Sequence, residues 1–283
     1  MSGTLFVVAT PLGNLEDLSP RAARILASVA CIACEDTRRT AKLLKRIGVG
    51  TRTLSCHRFN ERERLEPLLG LLREGRDVAL VSDGGTPGVS DPGSILVRRA
   101  LEEGIPVSPV PGPSAVVAIL SVAGFADARF AFDGFLPHRA GERRRRLREI
   151  RDERRTLVLF EAPHRIRETL GDLAEVLGDR RVVLGRELTK LHEVLAVGSP
   201  REVLGALGEA EVRGEIVLAV EGSPAGAGRD APERLEGRIR DAWRAALAAT
   251  PDDRRGALRR AAKDLGIARS ELYRLLVEIG EER

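Results

Sequence analysis

Titratable side chains stand at several points where this chain leaves an apolar run. Glu35 and Asp36 follow Cys31-Ile32-Ala33-Cys34, His57 follows Leu54-Ser55-Cys56, and Glu187, Lys190 and His192 follow Val182-Val183-Leu184-Gly185-Arg186. A carboxylate or imidazole so placed can accept a proton, and a lysine withdrawn from water can lose its own or keep it and stabilise an oxyanion. Each could equally be half of a structural ion pair or a helix cap; Glu35 and Asp36, for example, could simply hold Arg38 or Arg186.

Between these groups lies the stretch Val78-Ala79-Leu80-Val81-Ser82-Asp83-Gly84-Gly85-Thr86-Pro87-Gly88-Val89-Ser90-Asp91-Pro92-Gly93. It reads as a buried strand running into a shaped loop, where glycines let a ligand approach the backbone. No Gly-Lys-Ser/Thr follows and no G-x-G-x-x-G is present, which excludes a P-loop and a dinucleotide fingerprint. Two similar loops follow strands, Thr10-Pro11-Leu12-Gly13-Asn14-Leu15 and Pro111-Gly112-Pro113-Ser114.

The elements that must carry these loops alternate. Strands are expected at residues 4–9, 29–34, 51–56, 78–81 and 106–110, separated by helices. Ser19-Pro20 marks one helix start, Gly48 a helix stop, and Asn60 with Glu63 reads as a capping box. This order predicts a mostly parallel α/β sheet whose carboxyl-end loops gather on one edge. From about residue 124 the pattern changes. Strands at 130–135, 156–161, 181–186, 192–198 and 215–220, two of them adjacent without a helix between, predict a second, mixed sheet. The domain reading is therefore 1–123, 124–222, a Gly/Ala/Pro/Ser linker at 223–232, and a helical module at 233–283.

The 283 residues suffice for two cores, and 43% hydrophobic with 31% charged residues describes an ordinary globular chain. No apolar run reaches bilayer length and no signal peptide is visible, so a cytoplasmic protein without membrane contact is expected. Cys31, Cys34 and Cys56 suit a reducing compartment. The Cys31/Cys34 spacing falls inside a strand and lacks further ligands, so core cysteines and no metal are expected. Aromatic content of 3% argues against a broad stacking platform for single strands.

Six ordered motifs make a family likeness: Ala9-Thr10-Pro11-Leu12-Gly13-Asn14-Leu15, Glu35-Asp36-Thr37-Arg38, the Ser82 to Gly93 loop, Val110-Pro111-Gly112-Pro113-Ser114-Ala115, Phe160-Glu161-Ala162-Pro163-His164-Arg165 and Arg186-Glu187-Leu188-Thr189-Lys190. With these the chain resembles the ribosomal RNA small subunit methyltransferase I family, in the tetrapyrrole-methylase-like class of S-adenosylmethionine enzymes. The resemblance implies a two-domain tetrapyrrole-methylase-like α/β fold, usually homodimeric, with the methyl donor held between domains. It implies methylation of a ribose 2′-hydroxyl of a cytidine in the decoding region of 16S rRNA, free or within the small subunit. Matched by motif, the donor contacts would be Pro11, Gly84, Gly85, Thr86, Val89, Ser114, Ala115, Phe160 and Glu161. Tetrapyrrole methylases typically carry Gly-Asp-Pro where this chain has Gly85-Thr86-Pro87. That departure places in doubt any carboxylate role at residue 86 and counts against a porphyrinoid substrate.

Methyl transfer from a sulfonium needs alignment and removal of the hydroxyl proton. Glu187 and Lys190 acting together are the expected catalytic pair, with Glu35 and Asp36 as further candidates. Arg143, Arg144, Arg145 and Arg146 lie within an arginine-dense span of residues 139–155, and their mutual repulsion points to RNA phosphate, against the alternative of a solvated face paired with Glu142, Glu149, Asp152 and Glu153. Arg38, His57, His164 and Arg165 are further RNA candidates, although His164-Arg165 could instead start a helix. The tail reads as a helix-turn-helix, with Gly266 at the turn, Ser270 as cap, and Arg269 and Arg274 on the second helix. It could bind nucleic acid or be a packing module. The competing readings are a methylase of a small tetrapyrrole-like substrate and a non-enzymatic nucleic-acid binder built on the tail.

Overall fold

The structure, a computed structural model, describes residues 1–224, 232–250, 253–265 and 267–281. Most of the expected linker and the expected turn residue Gly266 lie outside the described residues. Two compact units result, one comprising Met1–Arg151 with Arg155–Gly222 and the other Asp152–Arg154 with Ser223–Arg283. Both sheets belong to the first unit.

The first sheet holds β1 (Leu5–Val8), β2 (Cys31–Cys34), β3 (Thr53–Ser55), β4 (Val78–Val81) and β5 (Val107–Val110), in the order β3-β2-β4-β1-β5. Every pairing is parallel. The central strands β2 and β4 are buried at every position, as a sheet covered on both faces requires. α1 (Pro20–Ser28) and α2 (Thr37–Arg46) contribute to the core on one face. α3 (Glu61–Arg73) and α4 (Ser94–Glu102) contribute to the core on the other. Because the strands are parallel, the loops after all five open on the same edge.

The second sheet, β6 (Phe130–Phe135), β7 (Thr156–Glu161), β8 (Val182–Arg186), β9 (Val194–Gly198) and β10 (Ile216–Val220), has the order β6-β7-β10-β8-β9. Only β6 and β7 run parallel, so the sheet is mixed. Its strands alternate between two buried faces. Leu157, Leu159, Leu184 and Leu218 pack under α6 (Ala140–Glu149), α7 (Ile166–Leu177) and α8 (Pro200–Ala206), whereas Val158, Val183, Val217 and Ala219 pack on Val116, Ile119 and Ala123 of α5 (Ala115–Ala123). The helix α5 thus follows the first sheet in sequence and docks on the second. That places the loop before it, residues 111–114, beside both sheets.

The second unit packs α9 (Pro232–Ala249), α10 (Arg254–Leu265) and α11 (Arg269–Glu278) around Trp243, Ile239, Ala261, Leu272 and Leu276. Ala268 occupies the N-cap of α11 and makes no side-chain cap bond, so Ser270 is not the cap the sequence suggested. The capping box at Asn60 is also absent. Asn60 instead accepts the His57 N–H at 2.8 Å and donates to the Ser55 carbonyl at 3.3 Å. The buried Glu61 caps a different helix, accepting the N–H groups of Gly93 at 3.1 Å and Ile95 at 2.9 Å. Cys31, Cys34 and Cys56 are free and buried. Among the described residues, no helix is long and apolar enough to cross a membrane.

Candidate active site

The loops after β1, β4 and β5 are stitched to one another. Thr10 and Gly85 exchange both backbone hydrogen bonds at 2.9 Å, the Thr10 hydroxyl donates to the Ser82 carbonyl at 3.0 Å, and the Thr86 hydroxyl donates to the Pro113 carbonyl at 3.1 Å. Gly85 has φ of 90°, a conformation open to glycine, and a Cβ on Gly84 would press on the Pro11 carbonyl. These constraints fit the residues found here: glycine where the loops approach closely, and threonine where a hydroxyl donates across them.

A cavity of about 390 Å³ opens beside them, within the range of small-molecule sites. Gly84, Gly85, Thr86, Val89, Ser114, Ala115, Phe160 and Glu161 all line it, whereas Pro11 lies outside it, in a neighbouring groove. Its wall is apolar where Phe135, Phe160, Val116 and Leu188 contribute, and acidic where Asp83, Asp91 and Glu215 do. Such a lining suits an amphipathic cation with a flat ring. Glu161 contributes no free charge. Its buried carboxylate accepts from Arg165 Nε at 2.7 Å and from the Thr169 hydroxyl at 2.5 Å.

Asp91, Asp83 and Glu215 were not singled out from sequence, although Asp83 and Asp91 sit inside the central loop. Burial, and then the Glu35 carboxylate, push Asp91 up to about 6 against a hydrogen bond from Ser82, with Asp83 and Glu215 adding to the push. Glu35 is half-buried and likewise raised, by desolvation first and Asp83 next. Among the described residues no cluster of ligating side chains could hold a metal.

The expected pair Glu187 and Lys190 does not line the cavity but adjoins two residues that do, Leu188 and Glu215. Lys190 Nζ lies 2.8 Å from Glu187 and 3.2 Å from Glu215, which lines the cavity. Burial works against the ammonium, but the Glu187 hydrogen bond and Glu215 outweigh it and raise Lys190 above its usual value. The direction favours the charged ammonium over the neutral amine at this position. Glu187 itself is lowered: burial opposes this, but the Lys190 bond and the Glu215 N–H prevail. Ser90, Glu187 and Thr189 are the non-glycine residues at positive φ among the described residues; Ser90 lines this cavity, and the other two bracket Leu188, which lines it too. Backbone held in such conformations is found where surrounding structure insists on it.

Other expectations fail. The Asp36 carboxylate caps α2 through the Arg38 N–H at 2.8 Å and pairs with the Arg38 guanidinium at 2.9 Å, which brings it down to about 2. Here it serves as a helix cap paired with Arg38. Arg143, expected on RNA, is 1% exposed and bonded to Asp172 at 2.6 Å and Glu168 at 3.1 Å. Arg144 pairs with Asp172 at 2.7 Å, and Arg146 with Asp133 and Glu149. The repulsion that suggested phosphate is relieved inside the protein. Arg165 is also buried and engaged with Glu161, so it cannot reach RNA. Arg145, 3.8 Å from Glu149, remains exposed, as do Arg38, His164, Arg269 and Arg274; His57 is half-buried.

The chain matches the family described as Tetrapyrrole (Corrin/Porphyrin) Methylases over residues 4–204. It is 45% identical over 275 residues to a Pseudomonas aeruginosa protein named Ribosomal RNA small subunit methyltransferase I, covering 96% of both chains. A Synechocystis protein of the same name is 41% identical over 98% of both. A Thermotoga maritima protein of that name is 44% identical over 78% of this chain but 99% of its own. Among solved structures, uroporphyrin III C-methyltransferase from Thermus thermophilus aligns with a TM-score of 0.55 at 20% identity, over 77% of this chain and 97% of that one. A cobalt precorrin-4 methyltransferase of cobalamin biosynthesis aligns with a TM-score of 0.54 at 17% identity, over 76% and 94%.

Proposed function

We propose, from the premise that this chain belongs to the ribosomal RNA small subunit methyltransferase I family within the tetrapyrrole methylases, that it transfers a methyl group from S-adenosylmethionine to a ribose 2′-hydroxyl of a cytidine in the decoding region of 16S rRNA. The observation that carries this reading is the cavity at the stitched loops, with an apolar wall, a glycine-backed floor and carboxylates at Asp83, Asp91 and Glu215. That donor set fits S-adenosylmethionine, which has a flat adenine and two positive centres. Gly84, Gly85, Thr86, Ser114 and Ala115 would hold it through close backbone approach, and Phe160 and Val89 through apolar contact. When bound, it supplies a methyl group already activated on sulfur.

The protein's own work is then alignment and proton handling. Asp91, held near 6, is ionised at neutral pH yet more basic than an ordinary carboxylate, and accepts the hydroxyl proton. The Lys190 ammonium, fixed by Glu187 and Glu215, favours negative charge on the attacking oxygen. The substrate is 16S rRNA or the small subunit, met in the cytoplasm. Exposed Val194, Leu195 and Val197 on the edge strand β9 support a homodimer.

The test is incubation with labelled methyl donor and 30S particles from cells lacking the activity, followed by nucleoside mass spectrometry. Label in 2′-O-methylcytidine is expected. Label on a base, or on a tetrapyrrole and not on RNA, would refute the reading.

A further inference from the structure

We infer that the exposed face of α2 is a phosphate-binding surface that seats the RNA strand beside the methyl-transfer cavity. This rests on the function proposed above and names the part of the protein that grips its substrate. A groove of about 880 Å³ runs along α2, lined on one side by Arg39, Lys42, Lys45 and Arg46 and on the other by the loop from Thr10 to Leu15. It shares Leu12 and Asp83 with the methyl-donor cavity, so the two openings adjoin.

The helix is built to show this face. Thr40 and Leu44 are buried, and the cations fall on the opposite side at helical spacing, along about 10 Å of axis at 1.5 Å per residue. Its position is fixed by Asp83, which accepts the Asp36 N–H at 3.0 Å and pairs with Arg39 at 3.4 Å. Lys42, Lys45 and Arg46 are exposed and make no ion pair with any described residue. The contrast with α6 decides the matter. Arginines 143, 144 and 146 there are paired with Asp172, Glu168, Asp133 and Glu149, whereas Lys42, Lys45 and Arg46 on α2 have no such carboxylate beside them among the described residues. The chain has four lysines, and two of them stand here.

Cations in a concave wall next to a site for ribose chemistry fit the phosphates of a single strand or loop better than a flat protein face. The decisive comparison is full-length protein against K42E/K45E/R46E and the milder K42Q/K45Q/R46Q. Binding to fluorescent, protein-free 16S rRNA is titrated across salt concentrations, and methyl-donor binding is followed by calorimetry. Donor affinity is expected to stay unchanged, which also reports folding. RNA affinity should fall at least about tenfold, and the salt slope should become shallower by about 0.7 for each phosphate no longer neutralised. K42R/K45R, which keeps the charges, should bind as the parent does. Unchanged RNA affinity and slope in both reversed and neutral variants would overturn the inference. So would a loss seen on 30S particles and not on protein-free rRNA, which would assign the face to a ribosomal protein. Failure of the broader functional reading looks different, since the parent protein itself would then methylate no RNA.

Discussion

Lys190 lies flat along the backbone of Gly13, so that a Cβ added at residue 13 would fall inside its methylene chain. The absence of a side chain at residue 13 is what lets the ammonium reach both Glu187 and Glu215. Gly13→Ala should therefore push the lysine off its partners, and Lys190→Ala should remove the charge outright. Both are expected to slow single-turnover methyl transfer by roughly 10²-fold while leaving donor affinity intact. An unimpaired rate in Lys190→Ala would take this residue out of the chemistry.

The proposed role of Asp91 links activity to pH. If Asp91 is the proposed base, its carboxyl must be ionised to accept a proton, so transfer should fall as pH drops through about 6 and recover above it. In Asp91→Asn that inflection should vanish along with most of the rate. The same group affects stability in the opposite sense. Raised from 3.8 to about 6, it binds more protons folded than unfolded within that window, so its contribution falls as pH rises through it. Asp91→Asn should thus melt higher than the parent at pH 7, with the gap closing below pH 4. An equal or lower melting temperature at pH 7 would contradict the burial assigned to this group.

Glu161 and Arg165 form a buried ion pair. Removing the guanidinium leaves a buried carboxylate with only Thr169 and its own neighbouring backbone for company. Arg165→Ala should cost about 3–5 kcal/mol in denaturant unfolding. A loss of RNA affinity at unchanged stability would return this arginine to the substrate surface.

Arg143 behaves alike. Arg143→Ala strands Asp172, 5% exposed, with Arg144 alone, and should destabilise by a similar 3–5 kcal/mol. The exposed Arg145 can be reversed to glutamate with little effect on stability. Urea titration of both variants separates the roles.

Cutting the chain after Gly222 removes nearly all of the second unit. The Thermotoga maritima relative is spanned almost entirely by 78% of this chain, close to the extent of the first unit. The truncated protein should keep its cooperative melt and its donor affinity but bind RNA more weakly, by loss of Arg269 and Arg274. Equal RNA binding would make the helical unit a packing module.

The periodicity of apolar residues made nearly every element legible, from the parallel strands of the first sheet to the hairpin β8 and β9 of the second. The Gly/Pro loops that line the cavity were legible too, because glycine and proline restrict the backbone wherever they occur. Charge was not. The arginines of α6 look alike in sequence, and only the fold sets Arg143 inward against Asp172, 29 residues away, while Arg144 reaches the same carboxylate from the exposed side. Asp91 looks like an ordinary loop carboxylate until Glu35 and Glu215 from other elements, with Asp83 of its own loop, converge on it.

Sequence by itself determined the elements and the placement of glycine, because those depend on interactions among near neighbours along the chain. Tertiary structure alone decided the strand order β3-β2-β4-β1-β5, which carboxylates crowd the cavity, and which cations stay free along α2. The physical reason is range: hydrogen bonds within a helix or turn are local, whereas desolvation and Coulomb energy depend on whatever the fold brings alongside.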